Sequence, residues 1–212
     1  MSSFTNNFNI KIDTTEYISK LCISGANNYT DKSPFAMNSV CCQHRKGFTG
    51  VYSLLFSRFM DVPINFAEIG IETGASLLMW REYFPKANLY GFEFYKNKID
   101  NCKNLNIENI VYNEINVTNE DSINNAFKST NILFDVIVDD SLHENDSHNL
   151  KIKNLGKYLK KGGILIIEDL DRSELFSTFK INDDEWSYYT FITCHHDFRN
   201  CNNDKILYLV KK

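Results

Sequence analysis

The sequence predicts an α/β chain built on one mostly parallel sheet and closed by an antiparallel hairpin. From residue 65 onward, short apolar runs of β type alternate with amphipathic stretches of helical spacing. The last two β-type runs are joined by a short polar turn, with no helix between them. The 212 residues suffice for one such domain with a full core and are short for two.

Residues 1–60 read as helix and loop, with TTEYISKLCIS and TGVYSLLFSRFM as the helical candidates. They are expected to cap the sheet edge or the mouth of a site and not to form an independent domain, leaving 61–212 as the main domain. The parallel strands are expected at NFAEIGI (65–71), ANLYGFEF (87–94), NIVYNEINV (109–117), FDVIVDD (134–140) and GGILIIEDL (162–170). Between them SLLMWREYF, KNKIDNCKN, NEDSINNAFK and HENDSHNLKIKNLGKYLKK have the spacing and charge of helices. Asn119–Asp121 offer N-caps for the third, and Gly162-Gly163 are expected to stop the fourth. SYYTFITCHHDF and DKILYLVKK, joined by RNCNN, supply the hairpin. The outcome is a Rossmann-like, seven-stranded, mostly parallel sheet with helices on both faces, a C-terminal antiparallel hairpin and an N-terminal helical cap.

Bulk composition narrows the function. The net charge of −4, without a dense Lys/Arg cluster, argues against nucleic acid as the main partner. No apolar run approaches the roughly 20 residues of a membrane span. The start, MSSFTNNFNI, lacks the charged and apolar regions of a signal peptide, so a cytoplasmic location is expected. The six cysteines form no C-x-x-C pair, and reduced thiols are expected. Cys194-His195-His196 to Cys201 has zinc-compatible residue types but sits in a hairpin strand without the spacing of a zinc site; His195 and His196 are given no role.

In open α/β sheets ligands bind beyond the carboxyl ends of the strands. The first strand runs into Glu68-Ile-Gly70-Ile-Glu-Thr-Gly74-Ala-Ser76. The glycines let backbone pass close to a ligand. Glu68 stands where a dinucleotide loop has its first glycine; it would repel a pyrophosphate but suits an ammonium group. Glu93, about 20 residues past the glycine loop, is placed to grip a ribose diol. An amino group and a ribose on one ligand point to S-adenosylmethionine. A tight βα turn and a solvated strand-end acid would account for each feature taken singly.

Asp139 and Asp140 end the fourth strand, and Glu168 and Asp169 end the fifth. Neighbouring strands lie about 4.8 Å apart, so these carboxylates can converge. Together they would repel one another, and a divalent cation such as Mg2+ would relieve that repulsion. His143, on the following loop, is a candidate general base. The competing reading makes Asp140 and His143 a helix cap and Glu168 and Asp169 loop acids. His148 is expected on a helix surface or beside the site.

The stretches FAEIGIETGASLLMWREYFPKANLYGFEF, FDVIVDDSLH and GGILIIEDL together resemble class I S-adenosylmethionine-dependent methyltransferases, and among them the metal-dependent macrocin/mycinamicin-type sugar O-methyltransferases. Upstream, Tyr29-Thr30-Asp31-Lys32 and the segment from His44 to Tyr52 resemble the T-D-K and following motifs of that family. The resemblance covers roughly residues 28–175. It implies Asp140, Glu168 and Asp169 as ligands of the metal, His143 as the base, and Asp139 on the cofactor side with Glu68, Gly70, Gly74, Ser76 and Glu93. It implies a sugar, glycan or glycosylated small molecule as acceptor and a homo-oligomeric enzyme. One departure is visible: the family's D-D-G-S-H is here Asp139-Asp140-Ser141-Leu142-His143. A nucleic-acid N-methyltransferase is disfavoured because D-D-S-L stands where [DNS]-P-P-[YF] is usual. An NAD-dependent oxidoreductase is disfavoured by Glu68, and a non-catalytic fold relative by the acid–acid–His set.

Overall fold

The computed structural model describes residues 8–36, 46–196 and 202–212. Among these residues one sheet has eight strands: β1 (Asn9–Asp13), β2 (Asn65–Ile69), β3 (Asn88–Glu93), β4 (Ile110–Glu114), β5 (Phe134–Asp139), β6 (Leu159–Leu170), β7 (Trp186–His195) and β8 (Lys205–Lys211). Their spatial order is β4-β3-β2-β5-β6-β8-β7-β1. Only β8 runs against its neighbours, wedged between β6 and β7. The hairpin therefore closes the sheet as expected, and its second strand is the one that enters the parallel array.

Two departures from expectation are instructive. The first is an eighth strand, β1, which pairs parallel with β7 from Asn9 opposite Phe191 to Asp13 opposite His195. NIKID is mostly exposed, so it lacks the apolar run by which a buried strand is recognised. The second concerns the fourth helix. It ends at Leu155, a single 3-10 turn follows, and β6 begins at Leu159. Gly162 takes φ +74 within β6, where the pairing with β5 jumps from Leu159 to Ile164; it marks a strand irregularity and not a helix stop.

The helices are α1 (Lys20–Asn27), α2 (Phe48–Leu55), α3 (Ala75–Tyr83), α4 (Lys96–Lys103), α5 (Glu120–Ser129) and α6 (Asn145–Leu155). Asn119 caps α5 by accepting from the Ser122 amide at 2.8 Å, as its position predicts. Strand alternation splits the core in two. Phe66, Val136, Val138, Ile164 and Ile166 face Tyr52, Phe56 and Trp80 of α2 and α3 and the turn after α2. Ala67, Ile69, Ile137, Leu165 and Ile167 face Phe127, Ile152 and Leu155 of α5 and α6. Residues from the first sixty thus share a core with the sheet. No helix among the described residues is long and apolar enough to cross a membrane.

Candidate active site

Strand order reverses between β2 and β5, where Ile69 lies opposite Asp139. A cavity of about 530 Å³ opens there, in the size range of small-molecule sites. Gly70, Glu93, Asp140, His143 and Asp169 line it, with Leu142 and Tyr95 at its apolar rim. A smaller cleft alongside is lined by Asp31, Lys32, Gly70, Ser76 and Asp140.

The glycine loop is shaped by contact. Gly70 has φ +85, and a Cβ on it would strike the Asp140 carbonyl oxygen. Gly74, at φ +80, is the N-cap of α3 and packs against Leu105 and Cys102. The Glu93 carboxylate is fixed by backbone amides: Oε1 accepts from Phe94 (2.9 Å) and Tyr95 (3.0 Å), and Oε2 from Glu72 at 3.3 Å. Glu68 is fully buried and lines neither cavity; it accepts from Ser76 Oγ at 2.7 Å and lies 3.5 Å from Lys32 Nζ. Its carboxyl is pushed up by burial, against the pull of Lys32.

Alternation separates the two aspartates of β5. Asp139 points to the α6 face, where Lys151 Nζ approaches its Oδ2 at 2.5 Å and Ser141 Oγ donates to its Oδ1 at 2.5 Å. His148 is buried beside them, Nδ1 3.8 Å from Asp139. Burial alone would raise the Asp139 carboxyl, but Lys151 and His148 outweigh it and hold the group well below the carboxylate range. Asp139 does not line the cavity toward which the sequence assigned it.

Asp140 points the other way. Its Oδ2 meets Lys32 Nζ at 2.5 Å, and its Oδ1 lies 3.8 Å from His143 Nε2. His143 Nε2 is also 3.7 Å from Asp169 Oδ2, and Lys46 Nζ sits 2.6 Å from Asp169 Oδ1. Asp140, His143 and Asp169 each bring one ligand atom to within 4.8 Å of the others. Asp169 adopts φ +59, a conformation costly for a residue with a side chain and one that turns its carboxylate toward the cavity mouth. Glu168 does not join this group. It is fully buried, accepting from Lys32 Nζ and Tyr52 Oη at 2.5 Å each.

Charge does not balance within the cluster. Asp31, Glu68, Asp140, Glu168 and Asp169 face the ammonium groups of Lys32 and Lys46. Burial first, and neighbouring Asp140 second, push up the carboxyls of Asp31, Glu168 and Asp169. Burial opposes the charge on Lys32, yet Asp140, Glu168 and Glu68 hold its ammonium well above the usual lysine range. Hard carboxylate oxygens in excess over local cations, with an imidazole beside them, are a donor set that suits a divalent cation such as Mg2+.

Sequence reasoning missed the lysines. Lys32 falls in the T-D-K stretch noted above, where its charge has a visible purpose only once its acid partners are known. Lys151 carries a clearer signal: on α6 it shares the buried stripe of His148, Ile152 and Leu155 at helical spacing. The segment from His44 to Tyr52 delivers Tyr52 to Glu168, while His44 lies outside the described residues. Cys41, Cys42 and Cys201 also lie outside them. Cys194 is buried, His195 Nε2 is 3.7 Å from Asp13, and His196 packs edge-on against Phe35.

Comparison with known proteins follows the same lines. A tetracenomycin-type rhamnosyl 3'-O-methyltransferase of Streptomyces olivaceus is 27% identical over 131 residues, covering 58% of this chain and 32% of that protein. The mycinamicin VI 2''-O-methyltransferase of Micromonospora griseorubida is also 27% identical over 131 residues, with 58% and 31% covered. The chain spans about a third of the length of these relatives. Among solved structures, the MycE methyltransferase of the mycinamycin pathway, in complex with Mg and SAH, superposes with TM-score 0.58 at 22% identity, over 71% of this chain and 36% of that one. Fibrillarin of Aeropyrum pernix, bound to S-adenosyl-L-methionine, reaches 0.55 at 15% identity over 72% and 68%. Likeness at this level shows the fold and leaves the acceptor open. The methyltransferase domain family matches residues 71–212, from the glycine loop to the last strand, and the chain belongs to that family.

Proposed function

We propose that the chain transfers a methyl group from S-adenosylmethionine to a hydroxyl of a sugar, glycan or glycosylated small molecule, with the help of a divalent cation. One observation carries the reading: Asp140, His143 and Asp169 converge on the wall of the cavity that also holds the glycine loop and Glu93. The curated relatives supply the acceptor class, since their names describe sugar O-methylation.

The Glu93 carboxylate, held by three amides, would accept from the ribose hydroxyls of the donor, and Gly70 and the cleft beside Asp31 would receive its amino-acid end. Glu68 supports this wall from behind through Ser76 and Lys32. Asp140 and Asp169 would hold the cation, which would supply Lewis-acid help to a sugar hydroxyl presented there. His143 is 39% exposed and stands within 4 Å of both carboxylates, so it can take the proton of a hydroxyl presented there. The acceptor oxygen then attacks the donor methyl, the bond from sulfur to methyl breaks, and the proton stays on His143. Positioning within the cavity supplies much of the rate gain.

A methyl-transfer assay with labelled S-adenosylmethionine, run against nucleotide sugars, glycans and glycosylated small molecules with and without Mg2+, tests the reading. Methylation of a sugar hydroxyl that stops in EDTA is expected. Full turnover in EDTA would remove the cation from the scheme, and transfer confined to non-sugar acceptors would remove the substrate class.

A further inference from the structure

Of the acids at the ends of β2, β5 and β6, Lys151 holds Asp139 and Lys46 meets Asp169, while Lys32 takes Glu68 and Glu168 and shares Asp140. Its side chain is 2% exposed, with Nζ 2.5 Å from Asp140 Oδ2, 2.5 Å from Glu168 Oε2 and 3.5 Å from Glu68 Oε1. The other oxygen of Glu168 accepts from Tyr52 Oη at 2.5 Å, and Tyr52 is itself fully buried. Both Glu168 oxygens are therefore engaged, and Glu168 reaches neither cavity. Asp140 alone serves two sides, giving Oδ2 to Lys32 and turning Oδ1 toward His143 and Asp169.

We infer that Lys32 is a built-in cation that keeps Glu168 off the metal, so that the metal face of this chain is Asp140 and Asp169 beside His143. This assignment rests on the divalent-cation part of the proposed function. It departs from the three-carboxylate set that the family resemblance implies. The reason is electrostatic. A divalent ion bonded to Glu168 would be driven against an ammonium already seated on the same oxygen, at a depth where water screens little. Leaving Glu168 to Lys32 and Tyr52 keeps that oxygen pair satisfied and sets the orientation of Asp140. Lys32 is thus a positioning residue, acting on the metal through Asp140.

Binding of Mn2+ to the full chain, followed by loss of the free-ion electron paramagnetic resonance signal, tests this without turnover. Glu168→Gln preserves shape and should change the Mn2+ dissociation constant by less than about threefold, whereas Asp140→Asn and Asp169→Asn should each weaken it at least about tenfold. Lys32→Met removes a positive charge next to Asp140 and should tighten Mn2+ binding by about tenfold or more. Weakening by Glu168→Gln as large as that by Asp140→Asn overturns the inference and leaves the proposed function standing. Absence of Mn2+ binding by the unmodified chain overturns both. If Glu168→Gln does not fold, judged by its thermal melt, Lys32→Met decides: tighter binding supports the assignment, and unchanged or weaker binding overturns it.

Discussion

Lys151 gives the sharpest test of how the reaction loop is held. It is fully buried on α6, with Nζ 2.5 Å from Asp139 Oδ2, 3.0 Å from Ser141 Oγ and 3.1 Å from the Leu142 carbonyl. One ammonium thus ties the end of β5 to the loop that carries His143. Lys151→Met keeps the stem and deletes the charge, leaving Asp139 buried with only Ser141 and His148 for support. Removing one partner of a buried ion pair costs about 3–5 kcal/mol. In a chain of this size each kcal/mol lowers Tm by about 2–4 °C, so a drop of roughly 6–20 °C is expected in a calorimetric melt at pH 7. The double substitution Asp139→Asn/Lys151→Met removes both charges and should recover part of that loss, because no uncompensated ion remains. A drop below about 3 °C for Lys151→Met, or a double variant as unstable as the summed single ones, would refute this account of the loop.

Other outcomes follow from the same geometry. Gly70→Ala combines φ +85 with a clash against the Asp140 carbonyl; a loss of at least about 2 kcal/mol in urea unfolding is expected, together with loss of S-adenosylmethionine binding by calorimetry. His143→Ala should lower methyl transfer by about 10²–10⁴-fold while S-adenosylmethionine binding, measured separately, is retained. Glu93→Gln should weaken that binding about tenfold or more, since a charged acceptor for the ribose is exchanged for a neutral one. The acid limb of stability has a definite sign. The Asp139 carboxyl is depressed in the folded state, so its contribution is complete above the unfolded value of about 3.9 and fades as pH falls toward the folded one. Melts between pH 4 and pH 2 should accordingly be less pH-dependent in Asp139→Asn/Lys151→Met than in the unmodified chain.

What could be read from the sequence was whatever local pattern determines. The β-type runs from residue 65 onward announce their strands because a parallel sheet buries both faces, and the turn chemistry of Gly70 and the strand-end position of Glu93 mark residues that line the cavity. The two facings of Asp139 and Asp140 follow from strand alternation, which the sequence fully determines. The partner of each does not. The resemblance puts Asp139 on the cofactor side, whereas its contact with Lys151, twelve residues along on a polar-looking helix, is visible only once α6 is docked. Strand β1 was missed for a related reason: its partner β7 lies about 180 residues away, and the alternation of Phe8, Ile10 and Ile12 with polar residues is short and mostly exposed. Glu168 shows the same limit at the site itself, since its neighbour on the chain, Asp169, faces the cavity while its own oxygens go to Lys32 and Tyr52.

The described residues among the first sixty therefore belong to the site's own charge network. Among the described lysines that face the carboxylates at the ends of β2, β5 and β6, Lys151 holds Asp139 from α6, while Lys32 and Lys46, which meet Glu68, Asp140, Glu168 and Asp169, come from the N-terminal segment. Tyr52, which closes the second oxygen of Glu168, comes from the same segment and stacks on Phe56 within the core shared with Trp80. Without these groups Glu68, Glu168 and Asp140 would meet at the strand ends with no counter-charge, and buried carboxylates in that state protonate or disperse. A displaced Asp140 would no longer stand beside His143. The sheet sets where the acids stand, and the N-terminal segment supplies the ammonium groups that Glu68, Asp140, Glu168 and Asp169 meet there.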